Sequence, residues 1–284
     1  DQFENDLFVI RRRIEKQVLA RHITEFYICS LSCRSIIYKG MFLAEQLTSF
    51  YPDLLDERFV SSFAVVHQRY STNTFPTWRL AQPFRMAAHN GEFNTIKGNV
   101  NWVLSHETRA ASDAFGTYND EIFPLVEPGA SDSMAFDAVL EALVRAGRPL
   151  PAAECLMIPD SWSKKPHVPQ HLKDLYSYCN CVMEPWDGPA AIAASDGRWA
   201  VAGMDRNGLR PMRYTVTSDG LIVVGSETGM VHIDEDRVVE KGRLGPGQMI
   251  RVDLRTGELY RDAALKNMLA ARQPYAEWAE NIVP

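Results

Sequence analysis

The chain reads as an α+β protein, and three observations carry that reading. Apolar residues recur at three- and four-residue steps over several segments near both ends and in the middle, the period of a helix with one buried face. From Gly188 onward, short apolar runs alternate with Asp-Gly turn signals, the pattern of antiparallel hairpins. The chain carries no glycine-rich phosphate loop and no regular strand–helix alternation, so a parallel, doubly wound sheet is not indicated.

The 284 residues suffice for one large domain or two small ones. Hydrophobic residues make up 46% and charged residues 23%, ordinary for a globular protein. A net charge of -6 gives no basic excess to recruit nucleic acid or an anionic membrane. No apolar run approaches the roughly 20 residues of a membrane span. The opening Asp1-Gln2-Phe3-Glu4-Asn5-Asp6 is acidic and amphipathic. It is neither a signal peptide nor a natural start, since it has no Met. The five cysteines, Cys29, Cys33, Cys155, Cys179 and Cys181, are odd in number and show no disulfide spacing. Reduced thiols in a cytoplasmic protein are the reading they favour. His167 and His171 lie near Cys179 and Cys181, but zinc sites use tighter Cys pairs in loops, so no metal is expected.

Phe3 to Ala20 is expected to be a helix buried through Phe3, Leu7, Ile10, Ile14 and Val18. Its Arg11, Arg12, Arg13 and Lys16, interleaved with acids, read as a solvated face. Phe26 to Ser30 and Ser35 to Tyr38 read as a strand hairpin. Met41 to Phe50 reads as helix, broken by Pro52 and Asp53. Phe63 to Val66 and Phe84 to Ala88 read as strands, and Glu92 to His106 as helix. Residues Glu107 to Ala130 read as an irregular loop. Ser131-Asp132-Ser133 caps a helix from about Met134 to Ala146. Ala152 to Ile158 and Leu172 to Glu184 follow as helices, separated by a polar loop. Three hairpins come next. Their strands are Ala190 to Ala194 with Trp199 to Gly203, Tyr214 to Val216 with Leu221 to Val224, and Gln248 to Val252 with Glu258 to Tyr260. Asp262 to Ala271 and Ala276 to Asn281 return to helix.

Two strand ends carry the chemistry. Arg69 follows an apolar strand and precedes Tyr70-Ser71-Thr72; a guanidinium fork can grip both oxygens of a carboxylate. Asn90 and Gly91 end the next strand, where a side-chain amide and a backbone N–H can converge on a developing oxyanion. A helix start just downstream adds its positive dipole end. Each signal has a plainer explanation: Arg69 as an ion-paired hairpin residue, Asn90-Gly91 as a turn dipeptide, Asp132 as a helix cap. The arginines of Asp205-Arg206-Asn207-Gly208-Leu209-Arg210-Pro211-Met212-Arg213 are expected to pair internally with Asp205 and Glu227, in preference to a phosphate or a partner domain.

In order and spacing, Arg69-Tyr70-Ser71-Thr72, His89-Asn90-Gly91-Glu92 and Ser131-Asp132-Ser133 resemble the class II glutamine amidotransferase family. The runs His67 to Pro76, Met183-Glu184-Pro185-Trp186-Asp187-Gly188-Pro189-Ala190 and Asp205 to Pro211 resemble the glutamate synthase branch of that family, in its large subunits. The resemblance implies a four-layer α/β/β/α sandwich of antiparallel sheets, of N-terminal nucleophile hydrolase type, over residues 1–260. Residues 261–284 would be a helical segment leading to a next domain. It implies that Arg69 holds the α-carboxylate of glutamine, Asp132 its α-ammonium and Thr72 a wall of the pocket. Asn90 and Gly91 would form the oxyanion hole. The implied reaction is hydrolysis of glutamine to glutamate and ammonia, the ammonia then aminating 2-oxoglutarate with electrons from NADPH. No cofactor is implied for this segment; FMN and an iron–sulfur cluster are implied for the parent enzyme, with its remaining domains and a small NADPH-oxidising subunit as partners.

The family's nucleophile is a Cys at the mature N-terminus whose own α-amine is the base, near pKa 7.7–8.0 and so able to take a thiol proton. This chain begins with Asp1, and its first Cys, Cys29, lies within an apolar stretch. The expectation is therefore a fragment without its N-terminal strands and nucleophile, inactive alone. The competing readings are a noncatalytic amino-acid-binding or domain-docking module, and the glutaminase domain of a purine or amino-sugar amidotransferase.

Overall fold

The computed structural model describes residues 1–23, 25–70, 73–163 and 165–282. It is α+β with antiparallel sheets and divides into two compact units. The first comprises Asp1–Ala88, Val100–Pro149 and Ser195–Gly197; the second comprises His89–Asn99, Leu150–Ala194 and Arg198–Pro284.

In the first unit, helix α1 (Gln2–Ala20) forms where expected but turns a different face inward. Phe8 and Val9 are buried against Phe115, Ile122 and Ala142, whereas Phe3, Ile10 and Ile14 are exposed. Arg11 and Arg12, expected in solvent, are buried, Arg11 to 1% exposure. Pairing removes the cost of burying them. Arg11 bonds Glu15 and Glu141, and Arg12 bonds Glu15 and donates to the carbonyls of Ile122 and Pro124. Arg85 adds a third guanidinium on Glu15 at 2.6 Å.

The expected hairpin at residues 26–38 and the strand at 63–66 do not form, because no ladder partner for either stretch is found among the described residues. Burial still alternates from Phe63 to Gln68, as in a strand with one covered face. Met41 to Phe50 shortens to a 3-10 turn, Ala44–Gln46, and helix α2 (Leu47–Phe50). Helices α3 (Ile96–Glu107) and α4 (Asp132–Arg145) match expectation within a few residues. Between them, Asp113–Glu121 is 3-10 with a kink at Gly116.

The second unit holds helices α5 (Leu150–Met157) and α6 (Gln170–Val182) and most of the sheet structure. Strands β1 (Ala87–Gly91), β2 (Ala190–Ser195), β3 (Trp199–Met204), β7 (Met249–Asp253) and β8 (Glu258–Tyr260) lie in one sheet in that order. Strands β4 (Arg213–Thr217), β5 (Ile222–Gly225) and β6 (Val238–Arg243) form a second, antiparallel sheet with β4 central. All three hairpins read from the sequence are present, and β6 was not foreseen. The register Ala202↔Ile250 between β3 and β7 puts both residues on one face. There they join Ala191, Met204, Met212 and Leu244 in a core that Tyr214 and Val224 of the second sheet complete. Helices α5 and α7 (Asp262–Ala270) contact β3 and β7, while α8 (Tyr275–Glu280) packs on α6. This unit therefore stacks helix, sheet and sheet, with Leu265 and Leu269 of α7 wholly buried. Burying one such leucine is worth about 1.5–3 kcal/mol. Among the described residues, no helix is long and apolar enough to cross a membrane.

Candidate functional site

Strand β1 ends in the turn where two oxyanion donors were expected. Asn90 is half-buried and Gly91 exposed, with Gly91 at φ +126°, a conformation open to glycine. Space demands glycine as well: a β-carbon there would stand 1.7 Å from the Pro189 carbonyl oxygen. The next backbone N–H, of Glu92, donates to that same oxygen at 2.8 Å. The approach is mutual, since a β-carbon on Gly188 (φ +146°) would stand 2.0 Å from the Glu92 carbonyl oxygen.

Side chains from two directions hold the 184–190 run in this position. Asn99 donates from α3 to the Pro185 carbonyl at 3.1 Å, and the Thr95 hydroxyl accepts from the Asp187 N–H at 3.0 Å. Asp205, 1% exposed, accepts from the N–H groups of Ala190, Asn207 and Leu209. Arg206 grips both carboxylate oxygens of Asp187. The internal pairing expected of the arginine cluster therefore needs correcting in its partners. Asp205 is spent on backbone donors, and Arg206 pairs with Asp187. Beneath the turn, His89 stacks on Phe93 at 4.5 Å, and Phe93 meets Trp186 edge-on at 5.6 Å.

Asp132 is the first residue of α4, not its cap. Ser131 is the cap, its hydroxyl accepting from the Met134 N–H at 3.1 Å. Asp132 is half-buried at the helix's positive end, where a carboxylate is favoured. One and a half turns on, the buried Asp137 accepts from the N–H groups of Met86 and Ala87 at 2.8 Å and of Arg85 at 3.1 Å. It thereby fixes the start of β1 from α4. Burial first, and then the nearby Glu141 charge, push its carboxyl up to about 6.

Arg69 belongs to the first unit and is exposed, its backbone N–H donating to His67 Nδ1 at 3.2 Å. Thr72 lies outside the described residues. Asn90 and Gly91 share one strand end in the second unit, while Arg69 and Asp132 belong to the first. The supports of the turn, Asn99, Asp187, Gly188, Pro189 and Asp205, were not read as functional from sequence. The signal available was the string Trp186-Asp187-Gly188-Pro189, which pairs a positive-φ glycine with a close backbone approach.

None of the five cysteines is in a disulfide: Cys155 and Cys179 are buried, Cys29 is half-buried, and Cys33 and Cys181 are exposed. Among the described residues, no group of three or more His, Cys, Asp or Glu side chains is placed to hold a metal ion. An iron–sulfur cluster needs several converging thiolates, so these residues do not fit one. Neither the cluster nor the flavin enters the chemistry below.

A family model described as "Glutamine amidotransferases class-II" matches residues 1–278. The chain is 64% identical over 281 residues to the glutamate synthase [NADPH] large chain of Azospirillum brasilense, covering 99% of this chain and 18% of that one. Identity is 43% over 278 residues to the glutamate synthase [NADPH] large chain of Bacillus subtilis, covering 98% and 18%. It is 45% over 284 residues to the chloroplastic ferredoxin-dependent glutamate synthase of Oryza sativa, covering 99% and 18%. The chain thus spans under a fifth of the length of these relatives. Among solved structures, the glutamine phosphoribosylpyrophosphate amidotransferase of B. subtilis aligns with a TM-score of 0.38 at 17% identity, over 69% of this chain and 34% of that one. The match over nearly the whole chain, together with these identities, makes it a member of the class-II glutamine amidotransferase family.

Proposed function

We propose that the chain binds glutamine and serves as the glutaminase region of a glutamate synthase. In this reading Arg69 receives the α-carboxylate, Asp132 the α-ammonium, and Thr72 lines the pocket. The Asn90 amide and the Gly91 N–H receive the oxygen of the side-chain carbonyl as it becomes negative. The observation that carries the reading is the locked Asn90–Gly91 turn. Pro189, Asp187, Asp205 and Asn99 fix the backbone around it, so its donors need little reorganisation when charge develops. The helix–sheet–sheet stack of the second unit supports a four-layer α/β/β/α sandwich of N-terminal nucleophile hydrolase type.

The overall chemistry would be hydrolysis of glutamine to glutamate and ammonia. Thiolate attack on the carbonyl carbon forms a tetrahedral oxyanion; the proton that the α-amine took from the thiol passes to the leaving nitrogen, so collapse releases ammonia and leaves a thioester, which water cleaves to glutamate and the thiol. The nucleophile is a Cys bearing its own free α-amine. In the cytoplasm, the ammonia would aminate 2-oxoglutarate in other domains, with NADPH as the electron source; for NADPH the support is the name of the 64%-identical relative.

Calorimetry with glutamine tests the reading. Binding is expected to weaken about 100-fold in Arg69→Ala, as when one partner of a hydrogen-bonded charge pair that the ligand covers is removed. Equal affinity in the variant would remove Arg69 from the pocket.

A further inference from the structure

We infer that Lys39 is a positioning residue that sets where the Arg69 guanidinium is presented, acting through Gly40 and Tyr70. The inference rests on the reading of Arg69 as the carboxylate ligand.

Arg69 sits near the end of a long extended stretch that forms no ladder among the described residues, so sheet pairing does not fix its place. Its neighbour Tyr70 supplies a long-range anchor, with its hydroxyl donating to the Gly40 carbonyl at 2.8 Å. That carbonyl belongs to a segment which Lys39 fixes. Lys39 is 3% exposed, and its ammonium donates to the carbonyls of Ala81 at 2.8 Å and Arg79 at 3.1 Å. It also lies 4.4 Å from the Tyr27 ring centroid and 4.7 Å from that of Phe84, two cation–π contacts. The Tyr51 hydroxyl donates to the Lys39 carbonyl at 2.7 Å, so the backbone is held as well.

A lysine is seldom buried without a carboxylate. Here its acceptors are the two main-chain carbonyls and, at 3.4 Å, the Tyr27 hydroxyl, and the titratable groups that act on it are Cys29, Arg85, Asp137 and Arg79. Burial pulls the ammonium down to about 8. A buried cation held by main-chain carbonyls fixes the backbone at residue 39, and the next carbonyl, that of Gly40, is the one to which Tyr70 is tied.

The test is glutamine affinity by calorimetry on the full chain, beside thermal stability. Lys39→Met keeps the apolar stem between Tyr27 and Phe84 and removes the donors; Tyr70→Phe removes one hydroxyl. Each is expected to weaken binding about tenfold, since small misplacements of a positioned group carry losses of that order or more. The double variant should lose about the same as either single one, because both act through Gly40. Arg11→Met, a buried change elsewhere in the same unit, should lower stability and leave affinity alone. If Arg69→Ala loses binding but Lys39→Met and Tyr70→Phe keep wild-type affinity, the inference fails and the glutamine reading stands. If Arg69→Ala binds normally, both fail. Should Lys39→Met not fold, unchanged affinity in Tyr70→Phe alone overturns the inference.

Discussion

The β-carbon that Gly91 lacks would lie 1.7 Å from the carbonyl oxygen of Pro189, closer than any non-bonded contact allows. Gly91→Ala therefore has two faults, a backbone clash and a φ of +126° that alanine resists. A loss of roughly 3 kcal/mol or more is expected in denaturant unfolding. Gly116→Ala is the comparison: its φ is +52° but nothing lies within 4 Å of the added carbon. It should cost only the backbone strain, about 1–3 kcal/mol, and less than Gly91→Ala. Equal losses would mean that the Pro189 contact does not restrict residue 91.

Asp205 is expected to be the most sensitive acid behind the same turn. Its carboxylate serves the N–H groups of Ala190, Asn207 and Leu209. Asp205→Asn replaces one acceptor oxygen with a donor facing buried donors. A loss of about 2–4 kcal/mol is expected, read as a lower urea midpoint at unchanged slope. A midpoint within error of wild type would show that those amides find other acceptors.

Glu154 on α5 makes stability depend on pH. It is 1% exposed, its Oε2 has no hydrogen-bond partner, and burial pushes its carboxyl up to about 8 from an ordinary 4.5. Across that interval the folded chain holds a proton that the unfolded chain has released. Its contribution to stability is full below about 4.5 and falls as pH rises through 8, by several kcal/mol in total. Glu154→Gln carries no such proton. The variant should match wild type near pH 5 and exceed it near pH 8.5, and parallel stability curves across that range would refute the assignment.

Removing one partner from the buried ion network should cost more than removing two. Arg11→Met strands Glu141, while Arg12 and Arg85 still hold Glu15, and is expected to lose about 3–5 kcal/mol. Adding Glu141→Leu should recover part of that loss, measured as a double-mutant cycle. Additive losses would show that Arg11 and Glu141 do not interact across their contact.

How legible these features were in the sequence depended on how local their causes are. The hairpins at Ser195-Asp196-Gly197-Arg198 and Thr217-Ser218-Asp219-Gly220 were readable because a turn dipeptide between apolar runs is a local signal. Helix α1 was found, yet its inward face was misread. Two stripes satisfy helical periodicity, and the choice between them was made by Glu141, 130 residues away. Phe26 to Tyr38 had strand composition, but a strand also needs a neighbour, which composition does not supply. Strand β6 escaped because Glu240, Lys241 and Arg243 mask its alternation. At the candidate site, Asn90, Gly91 and Asp132 drew notice through recognisable strings. Asp187 and Asp205 did not, because their roles consist of partners that only folding brings near.

The contact between Arg11 and Glu141 closes a span of 130 residues. Closing so long a loop is entropically expensive before any contact rewards it. Helix α1 is therefore expected to dock after α4 has formed, completing the first unit instead of nucleating it. In pulse-labelling hydrogen exchange, the amides of α1 are the ones expected to become protected last.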